Sequence, residues 1–252
     1  MTIKDFSRSN FIGTIKSLAI KATLHTYVAP KLRKEVSKCL NIEDYVNLSY
    51  NFHLKLKLPA KLRVTFKIAP FQIKEEIAQL LNLLADLKPK TLLEIGTASG
   101  GTLFLFCQVA EPDATIISVD LPGGPFGGGY PEWRIPLYML FAKERQRIHL
   151  VRADSHDPKT LEIVKNILSD RKLDFLFIDG DHTYEGVKRD FEMYSPLVRR
   201  GGIIAFHDIV PGPSENVGGV PTFWNEIKKN FTYNEIVKDW RQRGYGIGVI
   251  YV

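Results

Sequence analysis

Only two cysteines occur in the 252 residues, Cys39 and Cys107. They are far apart and neither has a second thiol or imidazole at metal-site spacing, which excludes a disulfide framework and a thiolate metal site. Cys107 lies in an apolar stretch, where a buried free thiol in a reducing compartment is expected. Long apolar runs are missing too. The stretch 11–20 is broken by Gly13 and Lys16 and falls far short of the roughly 20 residues that cross a bilayer. No small-residue cleavage pattern follows it, so a secretory leader is not expected. Hydrophobic content of 44% and charged content of 25% are ordinary for a globular protein with a sizeable core, expected in the cytoplasm.

The net charge of +6 is uneven. Residues 1–40 hold eight Lys and Arg against Asp5 and Glu35, and residues 41–70 hold five against Glu43 and Asp44, so residues 71–252 are net acidic. A basic surface across the whole chain is therefore absent, and no nucleic-acid partner is expected. Residues 1–70 are expected to form a basic helical extension or cap, packed on the core or on a second copy in a homo-oligomer. The mixture of Lys and Arg with Phe, Ile and Leu over residues 1–40 also suits peripheral contact with an anionic membrane.

Residues 71–252 read as an α/β domain. Ile73, Ile77, Leu80, Leu81, Leu84 and Leu87 recur at helical spacing and predict a helix over 72–88. Short apolar runs follow at 92–95, 115–119, 148–152, 173–178 and 202–206, with helix-like segments between them, the pattern of a parallel sheet. Two further runs, 231–237 and 245–252, are close enough to form a terminal hairpin. The first five runs carry or end on an acid: Glu94, Asp120, Asp154, Asp179 and Asp208. Ligands of open α/β sheets bind beyond the carboxyl ends of the strands, so these acids are expected to share one crevice.

The first run leads into Gly96-Thr97-Ala98-Ser99-Gly100-Gly101, a strand, a tight turn and a helix start. No glycine follows two residues after Gly96, so this is not the pyrophosphate-cradling dinucleotide turn. A carboxylate at Glu94 would repel a pyrophosphate and suits a cationic ligand. The glycines are expected to let backbone pass close to that ligand.

The string Glu94-Ile95-Gly96-Thr97-Ala98-Ser99-Gly100 resembles motif I of class I S-adenosylmethionine-dependent methyltransferases, in the variant of catechol O-methyltransferase-like enzymes. The segments 177–184 (Phe-Ile-Asp-Gly-Asp-His-Thr-Tyr) and 205–208 (Ala-Phe-His-Asp) resemble the branch containing macrocin O-methyltransferase and the cephamycin-biosynthesis methyltransferases. The resemblance runs from about Leu81 to the C-terminus. It implies a Rossmann-like fold with a mostly parallel seven-stranded sheet, a C-terminal antiparallel hairpin and helices on both faces. It also implies S-adenosylmethionine as cofactor, held by Glu94, Gly96, Thr97, Ser99, Gly100, Asp120, Asp154, Ser155 and Asp179. Asp120 would accept the ribose diol and Asp154 with Ser155 would meet the adenine; a helix cap near Pro158 is the alternative for Asp154.

In metal-dependent members of that branch an acid after the fourth strand and an acidic pair after the fifth hold a divalent ion. The matching residues here are Asp179, His207 and Asp208, with imidazole in place of one carboxylate. That departure disfavours Mg²⁺ relative to Mn²⁺, Fe²⁺ or Zn²⁺, or leaves His207 as a base in a metal-free enzyme. His182 and His207 are the candidate general bases, and Asp181 a cap for the following helix. Two glycine-rich segments, 121–131 and 211–221, are expected as lids, with Tyr130 or Trp133 stacking on an acceptor, or Trp133 packing in the core. The expected reaction is O-methylation of a hydroxyl on a sugar or small natural product. An NAD-dependent oxidoreductase and a non-catalytic scaffold of the same fold are the alternatives.

Overall fold

The computed structural model describes residues 22–55, 65–124, 129–143 and 145–252. The expected apolar stretch at 11–20 lies outside them. A π-helical turn, Leu24–Val28, runs into α1 (Ala29–Val36), and α2 (Ile42–Asn51) follows, capped by the Asn41 side chain on the Asp44 amide. Strands β1 (His53–Lys55) and β2 (Thr65–Lys67) pair antiparallel. This small sheet departs from the all-helical extension expected from sequence. Three-residue strands give too little alternation to stand out from coil.

The helix expected over 72–88 is α3 (Lys74–Leu87). Then come β3 (Thr91–Ile95), α4 (Gly101–Val109), β4 (Thr115–Val119), α5 (Ile135–Met139), β5 (Arg147–Val151), α6 (Pro158–Leu168), β6 (Leu173–Ile178) and α7 (Tyr184–Tyr194). The chain closes with β7 (Val198–His207), α8 (Ser214–Val217), α9 (Val220–Ile227), β8 (Thr232–Ile236) and β9 (Ile247–Tyr251). The main sheet has seven strands in the order β5-β4-β3-β6-β7-β9-β8. The first five are parallel, and β9 runs antiparallel to both β7 and β8. This is the Rossmann-like methyltransferase topology with its terminal hairpin. The chain reverses its direction of winding between β3 and β6, which opens a crevice at their carboxyl ends.

Alternate residues of each strand point to opposite faces. Leu92, Ile116, Phe175 and Ala205 join one core, together with α3 and α4. Leu93, Ile117, Leu176 and Ile204 join the other, with α6 and α7. Burial on both faces is why these strands read as continuous apolar runs. The first core also contains Leu24, Leu32, Val46 and Phe66, so the described part of the N-terminal segment is packed into the same hydrophobic interior as the sheet. Among the described residues no helix is long and apolar enough to cross a membrane.

Candidate active site

The turn after β3 is shaped by protein, not by open space. A Cβ on Gly96, whose φ is +97°, would lie 2.6 Å from the carbonyl carbon of Asp179. Gly100 caps α4 against the ring of Tyr138, and the Ala69–Pro70 backbone fills the space beside Gly101. The glycines expected to admit a ligand therefore also admit neighbouring parts of the chain. Ser99 donates its hydroxyl to the Ala69 carbonyl, and Thr97 shares a hydrogen bond with Ser118, so both side chains are spent on the turn.

Glu94 departs most from expectation. It is 1% exposed and lines no cavity found at the strand ends. It faces Ser118, its register partner on β4, and accepts hydrogen bonds from Ser118 Oγ (2.8 Å) and Thr102 Oγ1 (2.9 Å). An even position on β3 points to the α4 side, beneath the turn, which is why the carboxylate misses the crevice. Burial pushes its pKa up to about 8, against the two hydroxyl hydrogen bonds that favour the anion.

Asp120 braces the turn from β4. Its Oδ2 accepts the amides of Thr97 (2.8 Å) and Ala98 (2.7 Å), and the residue lines a cavity. Burial raises its pKa, with those amides opposing. The same cavity is bounded by Gly96, Asp154, Ser155, His156 and Asp179. Asp154 accepts the His156 amide at 2.8 Å, while the cap of α6 is Asp157, three residues later than expected. Sequence reasoning missed His156. Its Nε2 lies 3.3 Å from Asp190, a fully buried carboxylate of α7, and hydrogen bonding to that carboxylate raises the imidazole pKa.

A second, wider cavity of ≈ 610 Å³ adjoins the first, with Gly96, Ala98 and Asp179 lining both. Its volume lies within the range of pockets that take small molecules. On its wall His207 Nδ1 lies 3.0 Å from Asp179 Oδ1 and 3.5 Å from Asp208 Oδ2. His182 Nε2 lies 3.4 Å from Asp179 Oδ1, and its Nδ1 lies 3.4 Å from Asp208 Oδ2. Asp179, His182 and Asp208 bring ligand atoms within 4.8 Å of one another. The structure thus brings together the expected Asp179, His207 and Asp208, and adds His182 to them. His182 reaches the cluster because the 211–221 segment holds it: Gly219 N donates to the His182 carbonyl at 2.7 Å, and the Asn216 carbonyl meets the ring. A Cβ on Gly218 would lie 2.7 Å from the His182 carbonyl carbon.

Burial would raise Asp179, but His207 and His182 outweigh it and hold its carboxyl well below the usual carboxylate range. Burial would lower both imidazoles, yet the facing carboxylates prevail: His182 is pushed up to about 9, and His207 is also raised. Asp208 is raised, by burial first and by repulsion from Asp179. Two imidazoles and two carboxylates compensate one another at the wall of this cavity. His207 Nε2 is buried with no hydrogen-bond partner among the described residues.

Gln72 was also missed. It is buried just before α3, and its Nε2 donates to Asp179 Oδ2 at 2.8 Å. Among the described residues, the N-terminal segment bears on the crevice only through Gln72, whose carbonyl accepts the hydroxyl of Tyr50 of α2. No local pattern could have signalled a pair 107 positions apart. Asp181 accepts the Thr183 amide, while Thr183 itself caps α7.

Of the aromatic expectations, core packing holds for Trp133, and stacking on an acceptor is not what Tyr130 is placed for. Tyr130 is buried edge-on against Tyr138, with ring centroids 4.8 Å apart, and Trp133 packs on Phe66. Apolar burial has drawn both into the first core, and neither lines the wide cavity. The large exposed rings that line it are Phe71 and Tyr245. Backbone strain is concentrated there. Among the described residues six other than glycine have positive φ, and Ala98, Asp208, Arg243 and Tyr245 of these line this cavity. Such conformations persist where surrounding structure over-determines them, commonly at functional sites.

Comparison with known proteins agrees with this layout. Residues 93–209 match the family model described as a methyltransferase domain. The chain is 30% identical over 148 residues to an uncharacterized protein of Sinorhizobium fredii, covering 58% of this chain and 16% of that one. It is 32% identical over 119 residues to an uncharacterized protein of Acanthamoeba polyphaga mimivirus, covering 47% and 51%. It therefore spans about a sixth and about half the length of these relatives. Among solved structures it is similar to the O-methyltransferase TomG of Streptomyces achromogenes in complex with S-adenosylmethionine (15% identity, 85% and 90% covered, TM-score 0.52). It is similar to an O-methyltransferase of Bacillus cereus in complex with S-adenosylhomocysteine (17% identity, 84% and 90% covered, TM-score 0.52). At such identities these likenesses establish the fold. The chain resembles class I S-adenosylmethionine-dependent O-methyltransferases in sequence motifs, family match and architecture.

Proposed function

We propose that this methyltransferase domain moves the methyl group of S-adenosylmethionine to a hydroxyl oxygen of a small acceptor, a sugar or natural product, with a divalent ion at the acceptor end. The observation that carries the proposal is the meeting of two cavities at Gly96, Ala98 and Asp179. A bisubstrate transfer needs that arrangement, because the attacking oxygen must lie in line behind the methyl carbon.

The narrower cavity takes the cofactor. Asp120 Oδ2 is committed to two amides, and Oδ1 is the oxygen available to a ribose diol. Asp154, Ser155 and His156 bound the adenine end, and Asp190 positions the His156 ring. Glu94 acts beneath the turn as a brace, and the charge near the sulfonium comes from Asp179, which lines both cavities.

The wider cavity takes the acceptor. Asp179, His182 and Asp208 would hold the ion, a donor set of two carboxylates and one imidazole that suits Mn²⁺, Fe²⁺ or Zn²⁺ better than Mg²⁺. When bound, such an ion lowers the pKa of a hydroxyl and fixes its position. His207, whose Nδ1 faces Asp179 and Asp208 and which lines the same cavity, is the imidazole placed to receive the acceptor proton when neutral. The carbon–sulfur bond then breaks as the carbon–oxygen bond forms, releasing S-adenosylhomocysteine and a methyl ether. Gln72 holds Asp179 from the far side.

Calorimetric titration with S-adenosylhomocysteine tests the cofactor half. Micromolar binding is expected, weakened about tenfold or more in Asp120→Ala, the loss of charged hydrogen bonds. An intact protein that binds neither S-adenosylhomocysteine nor S-adenosylmethionine would sink the proposal.

A further inference from the structure

We propose that the acceptor carries an oxyanion, a carboxylate or phosphate, besides the hydroxyl that is methylated, and that Arg243 binds it. This rests on the methyltransferase proposal above and adds the substrate class to it.

Arg243 lies on the segment 237–246 that joins β8 to β9, and it is an exposed residue lining the acceptor cavity. The neighbouring cations of that segment are already paired, Lys238 with Glu75 at 2.6 Å and Arg241 with Asp239 at 3.2 Å. Among the described residues no carboxylate forms an ion pair with Arg243. Glu215 lines the same cavity without forming an ion pair with Arg243. An exposed guanidinium on the wall of a substrate pocket without an internal counter-ion is a ready fork for an oxyanion, which it can bind through two parallel N–H donors.

The backbone that presents Arg243 is held in place. Successive φ angles at Arg243, Gly244, Tyr245 and Gly246 are 62°, 116°, 61° and 80°, a left-handed run in which two residues carry side chains. Buried carboxylates fix it from two directions: the Tyr245 amide donates to Asp208 Oδ1 at 2.9 Å, and the Gly246 amide donates to Glu76 Oε2 at 3.0 Å. The Val210 amide adds a bond to the Tyr245 carbonyl at 2.9 Å. Because Asp208 also belongs to the acid–imidazole cluster, the position of Arg243 is tied to the place where the hydroxyl reacts.

The cavity is therefore polarised. Its acids Asp179 and Asp208 are largely buried, Arg243 is exposed on its wall, and the rings of Phe71 and Tyr245, 62% and 41% exposed, line it as well. Flat rings there suit a sugar or aromatic body. An acceptor with a hydroxyl at one end and an oxyanion at the other would be oriented by charge alone. A neutral acceptor would leave Arg243 idle and gain nothing from the strained segment.

The test compares matched acceptors in methyl transfer from labelled S-adenosylmethionine: catechol against 3,4-dihydroxybenzoate, and glucose against glucuronate and glucose 6-phosphate. At least one anionic member is expected to exceed its neutral partner in kcat/KM by about tenfold or more, and the carboxylate and phosphate arms separate the two anions. Arg243→Gln should erase that ratio, and Arg243→Lys should keep part of it, while affinity for S-adenosylhomocysteine stays unchanged in both. Equal use of neutral and anionic partners, no use of any anionic member, or a preference that survives Arg243→Gln overturns the proposal. Failure of the unaltered protein to bind S-adenosylhomocysteine would instead remove the methyltransferase proposal, and this one with it.

Discussion

The Asp179 carbonyl group occupies the place that a side chain on Gly96 would need, its carbon 2.6 Å from the Cβ position. The carboxyl ends of β3 and β6 are pressed together at that point, where the narrower cavity meets the wider one. A left-handed φ of +97° adds a second obstacle to any side chain. Gly96→Ala is expected to destabilise the protein by more than the ~1–2 kcal/mol that a left-handed Cβ costs alone. Thermal unfolding checks this. An unchanged Tm would mean that the two strand ends part freely.

Glu94 gives a pH dependence of stability with a defined sign. Its folded pKa is about 8 against a reference of 4.5, so between those values the folded state keeps a proton that the unfolded chain has released. Its contribution is present in full below pH 4.5 and is lost as pH rises through about 8. Glu94→Gln cannot ionise and keeps partners for Ser118 and Thr102. The variant should gain stability relative to the parent as pH rises across that window. Parallel Tm curves from pH 4.5 to 8 would show that Glu94 is ionised throughout.

His182 and His207 are expected to separate in metal binding. Removing a ligand costs more than removing the group that orients one, and outer partners typically account for 10–100-fold in affinity. Titration with Mn²⁺ should show a greater loss in His182→Ala than in His207→Gln, with the latter in that ~10–100-fold range. The reverse order would restore His207 to the ligand set and free His182 as the base.

Glu76 clamps the segment that carries Arg243 and Tyr245. It is fully buried on α3 and accepts hydrogen bonds from the Lys238 amide (3.0 Å), Gln242 Nε2 (2.7 Å) and the Gly246 amide (3.0 Å). Glu76→Ala strands these donors, each at a cost of ~1–3 kcal/mol where water cannot reach them. Faster amide exchange at Gly246 and Lys238 is expected, with a lowered Tm. Exchange confined to its parental rate would show that other contacts hold the segment.

Several strands could be placed within a residue or two because a sheet covered on both faces demands unbroken apolar runs, as at Leu92–Ile95 and Leu173–Ile178. Helix α3 was similarly plain from its spacing. The hairpin β1–β2 was not, being too short to carry a pattern. Within the site, Asp179 and Asp208 could be picked out as strand-end acids. Glu94 looked equivalent, but strand parity turned it under the turn. Gln72, Glu76, His156 and Arg243 could not be foreseen, since each acts through residues that only folding brings near.

The order of apolar runs and turns was enough by itself to dictate a parallel sheet with its acids along one rim, because burial periodicity is a local property of the chain. How two imidazoles gather at Asp179 and Asp208, which strand-end acids line a cavity and where Arg243 is presented were decided by tertiary structure. Those outcomes depend on contacts between distant segments, such as Gly218 against His182 and Glu76 against Gly246, and on the desolvation that only a packed interior imposes.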